Sequence, residues 1–406
     1  MINFDIISRL NLKSREEQVY TKIMIIGIPK EIKAQENRVS VLPSGVKSFA
    51  DAGHKVYIEK NAGAGSGFTD EEYIKAGAQI LDTAKEIYDI ADMIYKVKEP
   101  LEPEYDYLRE GQIIFTYLHL APDVEQTQAL IDKKVTAIAY ETVQLEDGSL
   151  PLLAPMSAIA GRMSVQVGAY LLQKINNGSG ILLGGVPGVE PGNVVIIGGG
   201  VVGINAAKMA VGLGARVTVL DVLIERLVYI NDLMSNRVTT LVSNIYNISK
   251  VVAEADLVIG AVLIPGEKAP TLVTEPMIKT MRPGSVVVDV AIDQGGCIET
   301  IDRLTNHENP YFIKHGIIHY SVPNMPGAIP RTSTFALSNA TMPYALKIAN
   351  QGAEAAMRND PALLKGLNVY QGKVANNAIA KAQGLPPALV HVSEQGVLVD
   401  TIVDID

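Results

Sequence analysis

Four side chains of complementary chemistry stand just beyond short apolar runs that read as β-strands. Arg38 lies in the loop after Met24 to Ile28, and Lys98 near the end of Asp92-Met-Ile-Tyr-Lys-Val-Lys-Glu-Pro. His119 follows Ile113 to Leu118, and Asp293 follows Ser285 to Ile292. Open α/β sheets bind their ligands at the carboxyl ends of strands, so position makes all four candidates. Together they supply a guanidinium to anchor a carboxylate, an ammonium, a base that titrates near neutrality and an acid. Taken singly, each also has an ordinary structural reading. Arg38 and Lys98 can be solvated loop charges, His119 a satisfied half-buried histidine, and Asp293 an Asx-turn residue before Gly295-Gly296. Spacing along the chain does not by itself bring them together.

A second signal is more specific. In Asn193-Val-Val-Ile-Ile-Gly-Gly-Gly-Val-Val-Gly an apolar strand runs directly into Gly198, Gly200 and Gly203, and Ile204 to Leu213 continues as a helix. Gly198 permits the tight turn, Gly200 lets backbone approach a pyrophosphate, and Gly203 lets helix and strand pack closely. Arg216 to Leu220 forms the next strand, and Asp221 stands at its end. An acid there accepts hydrogen bonds from ribose hydroxyls and repels a 2′-phosphate, which favours NAD over NADP.

The elements that must position these groups alternate between β-branched runs and longer helical stretches, the pattern of βαβ units around a parallel sheet. Met24 to Ile28, Lys55 to Glu59, Met93 to Val97, Ile113 to Leu118 and Thr136 to Tyr140 read as one set of strands. Val194 to Ile197, Arg216 to Leu220, Leu257 to Ala261 and Ser285 to Val290 read as a second. Thr69 and Glu72 form a capping-box pattern ahead of a helix over Glu71 to Ala76, Pro122 to Ile131 reads as another, and Thr334 to Ala382 reads as largely helical. The predicted fold class is therefore α/β, with two Rossmann-like doubly wound parallel-sheet domains. Residues 1–23 read as a dispensable extension, and a chain starting at Met24 is expected to fold and work.

Composition excludes other classes. The 406 residues suit two domains at about 150 residues each or somewhat more, and 48% hydrophobic with 19% charged residues suits a packed globular enzyme. A net charge of -9 offers no attraction to nucleic acid or anionic lipid. One cysteine, Cys297, excludes an intrachain disulfide framework and fits a reducing, cytoplasmic setting. The longest apolar window, Val194 to Leu213, carries glycines, Asn205 and Lys208 and reads as strand, turn and helix, not as a membrane span. No spacing of His, Cys, Asp and Glu resembles a metal site.

From Met24 to about Val390 these residues sit in stretches that resemble the alanine dehydrogenase family. The stretches are Ile28-Pro-Lys-Glu-Ile-Lys with Glu36-Asn-Arg-Val, Tyr95-Lys-Val-Lys-Glu-Pro, Tyr117-Leu-His-Leu-Ala, Pro155-Met-Ser, Val288-Asp-Val-Ala-Ile-Asp-Gln-Gly-Gly and Asn324-Met-Pro-Gly. The resemblance implies that Arg38 and Lys98 bind substrate and that His119 and Asp293 are catalytic. It implies NAD contacts at Ser157, Gly198, Gly200, Val201, Val202, Gly203, Asp221, Arg226 and Ser243. It adds Val262 and Leu263 beside the adenosine, and Val290, Ala291, Ile292 and Asp293 with Val322, Pro323, Asn324 and Met325 towards the nicotinamide. The implied organisation is an NAD domain, residues 152–331, inserted in a substrate domain built from 24–151 and 332–406. A cytoplasmic hexamer that interconverts L-alanine with pyruvate and ammonium is the implied protein. Three features depart from the family pattern: residues 1–23, the apolar Val222-Leu223-Ile224 after Asp221, and a small shift after Thr300.

In this reading Arg38 holds the carboxylate through a bidentate pair, His119 shuttles protons, Lys98 polarises the developing carbonyl oxygen, and Asp293 orients water or ammonia. Two alternatives stand beside it. One is a saccharopine-type or carboxyethyl-amino-acid dehydrogenase, and the other is the NAD-binding subunit of a proton-translocating transhydrogenase. Arg38, Lys98 and His119 together, and the lack of a membrane segment after the NAD domain, argue against the latter.

Overall fold

The computed structural model describes residues 23–262, 269–292, 295–393 and 396–401. The expectations for the extension up to residue 22, for Leu263 and for Asp293 fall outside the described residues.

The strands in chain order are β1 (Ile25–Ile28), β2 (Lys55–Glu59), β3 (Gln79–Leu81), β4 (Met93–Tyr95), β5 (Ile113–Thr116), β6 (Thr136–Ala139), β7 (Asn193–Ile197), β8 (Arg216–Asp221), β9 (Thr239–Val242), β10 (Leu257–Gly260), β11 (Val286–Asp289), β12 (Tyr311–Lys314), β13 (Ile317–Tyr320), β14 (Leu367–Tyr370), β15 (Lys373–Val374), β16 (Ala388–Ser393) and β17 (Gly396–Thr401). They form an eight-stranded sheet in the order β15-β14-β6-β5-β4-β1-β2-β3, a seven-stranded sheet in the order β12-β13-β11-β10-β7-β8-β9, and the separate hairpin β16-β17. Within each large sheet six strands are parallel and follow the doubly wound order, with the crossover reversing between β1 and β4 in the first and between β7 and β10 in the second. Central strands such as β4, β5, β6, β10 and β11 are buried at every residue, because helices cover both faces.

The sheets depart from the sequence expectation at their edges. β12 runs antiparallel to β13, β14 to β6, and β15 to β14. The β12-β13 and β14-β15 hairpins each turn on an X-Gly pair with positive φ at both residues, His315 (54°)-Gly316 (76°) and Gln371 (49°)-Gly372 (78°), the geometry that matches strand twist. The tail predicted as largely helical thus contributes β14 and β15 to the first sheet.

Three helices matter for the site: α1 (Ala154–Leu171), α2 (Val201–Gly212) and α3 (Pro330–Gln351). The first two cross closely because Gly161 has no side chain; a Cβ there would sit 2.2 Å from the Val202 carbonyl oxygen. Helix α3 lies along the extended segment after β1 and completes its hydrogen bonding. Thr334 Oγ1 accepts from Val39 N (3.1 Å), and Ser338 Oγ accepts from Leu42 N (3.1 Å). The Thr69/Glu72 capping box is present ahead of the helix Asp70–Ala76. Among the described residues no helix is long and apolar enough to cross a membrane.

Candidate active site

Arg38, Lys98 and His119 leave the carboxyl ends of β1, β4 and β5, three neighbours in one sheet, while the glycine turn, Val262 and Val290 leave β7, β10 and β11 in the other. The two crossover points open onto one cavity of about 150 Å³. Its walls carry Arg38, Lys98, His119, Ser157, Val202, Val262, Val290, Ala291 and Asn324, nine of the residues singled out from sequence. Tyr117, Leu153, Met156, Ala160, Ala261 and Pro326 close it with mostly apolar surface.

Arg38 is buried, which an arginine tolerates only when paired. Glu36 Oε1 accepts from Arg38 Nε (2.7 Å) and Oε2 from Nη2, and Nη2 also donates to Asn324 Oδ1 (2.7 Å). Asn324 Nδ2 closes the ring by donating to Glu36 Oε2 (3.0 Å). Burial raises the Glu36 carboxyl pKa, but the hydrogen bonds and charge of Arg38 outweigh it and hold the pKa at about 2. The planar fork expected for a ligand carboxylate is therefore engaged by Glu36. Nη1 contacts the Met156 thioether at 3.2 Å, and both Arg38 and Met156 line the cavity.

His119 adopts a left-handed backbone, φ 51°, which a residue without special support avoids. Glu141 supplies that support: its carboxylate accepts from Leu118 N (3.1 Å) and from His119 N (2.6 Å). The imidazole, with Nδ1 4.0 Å from Glu141 Oε1, stacks on Tyr117 with ring planes 9° apart. Tyr117 is fixed in turn by donating its hydroxyl proton to the Leu152 carbonyl (2.6 Å). Lys98 is buried as a residue, and its main chain is held where Thr116 Oγ1 donates to its carbonyl (2.8 Å) and Glu31 Oε1 accepts from its N–H (3.2 Å).

The turn at Gly198 is built for close approach. Gly198 has φ 104°, a Cβ on Gly203 would fall 1.8 Å from the Gly198 carbonyl oxygen, and the space beside Gly200, which caps α2, is open. The Asp221 carboxylate accepts from Gly199 N (2.7 Å) and Leu223 N (2.9 Å), so the acid braces the turn as well as standing at the end of β8. Ser243 N donates to the Asp221 carbonyl (2.8 Å), and the Arg226 side chain lies beside Gly199. Val201 opens α2 and is exposed, Ile292 follows the cavity residue Ala291, and Val322 and Met325 pack in the core on either side of Pro323 and Asn324. An open backbone cradle at a helix N-terminus with an acid at the end of the next strand fits a dinucleotide whose ribose 2′-hydroxyl is free.

Three carboxylates carry positions that motif reading left without a role. Glu36 had a signal, since residues two apart on extended chain point to the same side and an acid so placed can pair with Arg38. Glu31 and Glu141 had none, because each acts across tens of residues on a main-chain N–H.

Two doubly wound α/β sheets that share one cavity, with a glycine turn of the dinucleotide-binding kind on one and Arg38, Lys98 and His119 on the other, have the build of a dinucleotide-dependent oxidoreductase. The alanine dehydrogenase/PNT models match this chain at residues 27–160 for the N-terminal domain and 164–377 for the C-terminal domain. An alanine dehydrogenase of Methanococcus maripaludis is 65% identical over 363 residues, 89% of this chain and 97% of its own length. A solved L-alanine dehydrogenase superposes with a TM-score of 0.86 at 54% identity, covering 89% of this chain and 99% of that one. A transhydrogenase from Sinorhizobium meliloti, with a TM-score of 0.74 over 87% of this chain and 99% of its own, is 26% identical. The chain belongs to the alanine dehydrogenase/PNT family.

Proposed function

We propose that this chain catalyses the NAD-dependent oxidative deamination of L-alanine to pyruvate and ammonium, and the reverse reductive amination. The observation that carries the reading is the convergence of Arg38, Lys98 and His119 on one cavity with Val202, Val262 and Val290 from the nucleotide side. The marked excess in identity to alanine dehydrogenases over the transhydrogenase favours this activity over the latter. NAD is the cofactor; Gly198, Gly200 and Gly203 would hold its pyrophosphate and Asp221 its ribose, and when bound it would supply the two-electron acceptor for the substrate Cα–H.

The chain's own residues do the rest. Arg38 Nη1 and the Lys98 ammonium bind the carboxylate and the C2 oxygen, setting a short, polar α-substituted acid in one orientation. His119, held by Glu141 and Tyr117, moves the proton that imine hydrolysis requires, with Asp293 as the group that orients water or ammonia. Leu153, Met156 and Tyr117 give the cavity an apolar wall beside these polar groups, a surface suited to a small aliphatic side chain. The division into a substrate unit, 24–151 with 332–406, and an NAD unit, 152–331, is supported by β14 and β15 joining the first sheet. A cytoplasmic homo-oligomer, hexameric as the family resemblance implies, is part of the same proposal. The test is NADH absorbance with the purified protein against a panel of amino acids and keto acids. Turnover with L-alanine and pyruvate well above that with larger or amine-condensing substrates is expected, and preference for a condensing pair would replace this reading by the saccharopine-type one.

A further inference from the structure

The chemistry above uses the Lys98 ammonium but gives no work to the buried acid beneath it. Pairing between β1 and β4 stops at Gly27 and Ile94, so on that side the main-chain N–H groups of Val97 and Lys98 have no strand to bond. Glu31 takes both on one oxygen, Oε1, at 2.7 Å and 3.2 Å. Its other oxygen lies 3.6 Å from Lys96 Nζ. That ammonium, fully buried, donates to Glu104 Oε1 at 2.6 Å, and Glu104 also accepts from the Tyr88 hydroxyl (3.0 Å) and from Leu101 N (3.0 Å). One buried ammonium thus serves two buried carboxylates, and an unbalanced buried charge is costly. The ammonium sits 2.6 Å from Glu104 and 3.6 Å from Glu31, so Glu31 is the less tightly paired of the two acids and the one that takes a proton. Burial, opposed by Lys96, brings its pKa up to about 7. The other titratable or charged groups around the cluster are Glu36, Arg38, Glu59, Tyr88, Lys98 and Tyr140, whose hydroxyl donates to the Lys96 carbonyl (2.8 Å).

Resting on the reading of Lys98 as a substrate-binding residue, we propose that Glu31 is a positioning residue whose ionised carboxylate fixes the Val97-Lys98 backbone so that Lys98 enters the cavity, and that a proton taken up by the Glu31-Lys96-Glu104 cluster loosens this hold. A neutral carboxyl still has an acceptor oxygen, but charge-assisted bonds are about twice as strong.

The probe is oxamate, a non-reacting analogue of pyruvate, titrated by NADH fluorescence on the full-length NADH complex. A His119→Asn background removes the histidine proton from the readout. Between pH 8 and pH 6 the oxamate Kd of this parent should rise by about fivefold or more. Glu31→Gln should bind weakly at both pH values, with less than about a twofold difference between them. Tyr88→Phe keeps core volume but removes a donor from Glu104, so the cluster holds its proton more tightly and the midpoint should move up by roughly half a pH unit. Parent-like pH dependence in Glu31→Gln, or an unmoved midpoint in Tyr88→Phe, overturns the proposal, and the second result stands even if Glu31→Gln does not fold. Lys98→Gln in the same background separates the two readings. Loss of oxamate binding keeps Lys98 in the substrate site whatever Glu31 does, whereas parent-like binding would remove Lys98 from it and the proposal with it.

Discussion

Replacing Glu36 by Gln tests the energetics of the site, because it removes one charge from a fully enclosed ion pair while keeping shape. Arg38 and Glu36 have side chains 1% and 0% exposed, so solvent screening does not discount their interaction. The Glu36 pKa falls from 4.5 to about 2, with burial opposing the shift and Arg38 driving it. At about 1.4 kcal/mol per pH unit this amounts to about 3 kcal/mol of preference for the ionised form, the range for stranding one partner of a buried pair. The sign is fixed by linkage. A carboxyl whose pKa is depressed in the folded state stabilises above its unfolded value, and that contribution disappears as pH falls from 4.5 towards 2. Glu36→Gln should therefore lower unfolding free energy by about 3 kcal/mol at pH 7, with a gap to the parent that narrows below pH 4.5. Urea unfolding of both proteins at pH 7, 5, 4 and 3, followed by far-ultraviolet circular dichroism, measures it. A difference below about 1 kcal/mol at pH 7, or one that stays constant through the acid range, refutes the claim that this ion pair holds Arg38 in place.

Three further outcomes follow from the geometry. His119→Ala should retain NAD binding and lower turnover by roughly 10² to 10⁴, and a near-normal rate by stopped-flow NADH formation would assign His119 to structure. Arg38→Lys keeps a charge but cannot engage Glu36 through Nε and Nη2 together, so it should raise the pyruvate KM above all; an unchanged KM would move the carboxylate elsewhere. The parent should prefer NAD to NADP by at least about tenfold in kcat/KM, roughly 1.4 kcal/mol. Asp221→Ala should narrow that gap mainly by weakening NAD, since it also frees Gly199 N and Leu223 N, and equal specificity constants in the parent would sink the assignment.

Much of this protein is local and therefore written in the sequence. β-branched runs between turn residues placed the central strands to within a residue or two, because a strand buried on both faces must be apolar throughout. Gly198, Gly200 and Gly203 followed by Asp221 announced the nucleotide turn, because each glycine answers a steric demand within one βα unit. The edge hairpins were harder to read: His315-Gly316 and Gln371-Gly372 turn the chain without the Asn-Gly or Asp-Gly pair that marks such turns most strongly, so β12 to β15 were not read as strands. What only the tertiary structure decided is how the charged residues are spent. Sequence named Arg38, Lys98 and His119 from the chemistry their types allow. That Arg38's fork is held by Glu36, that Glu31 grips the main chain of Lys98, and that Glu141 supports the left-handed turn at His119 depend on groups brought together across the sheet. A carboxylate's partner is set by three-dimensional proximity in a region closed to water, where every buried N–H and every charge must find one, and spacing along a chain does not encode that neighbourhood.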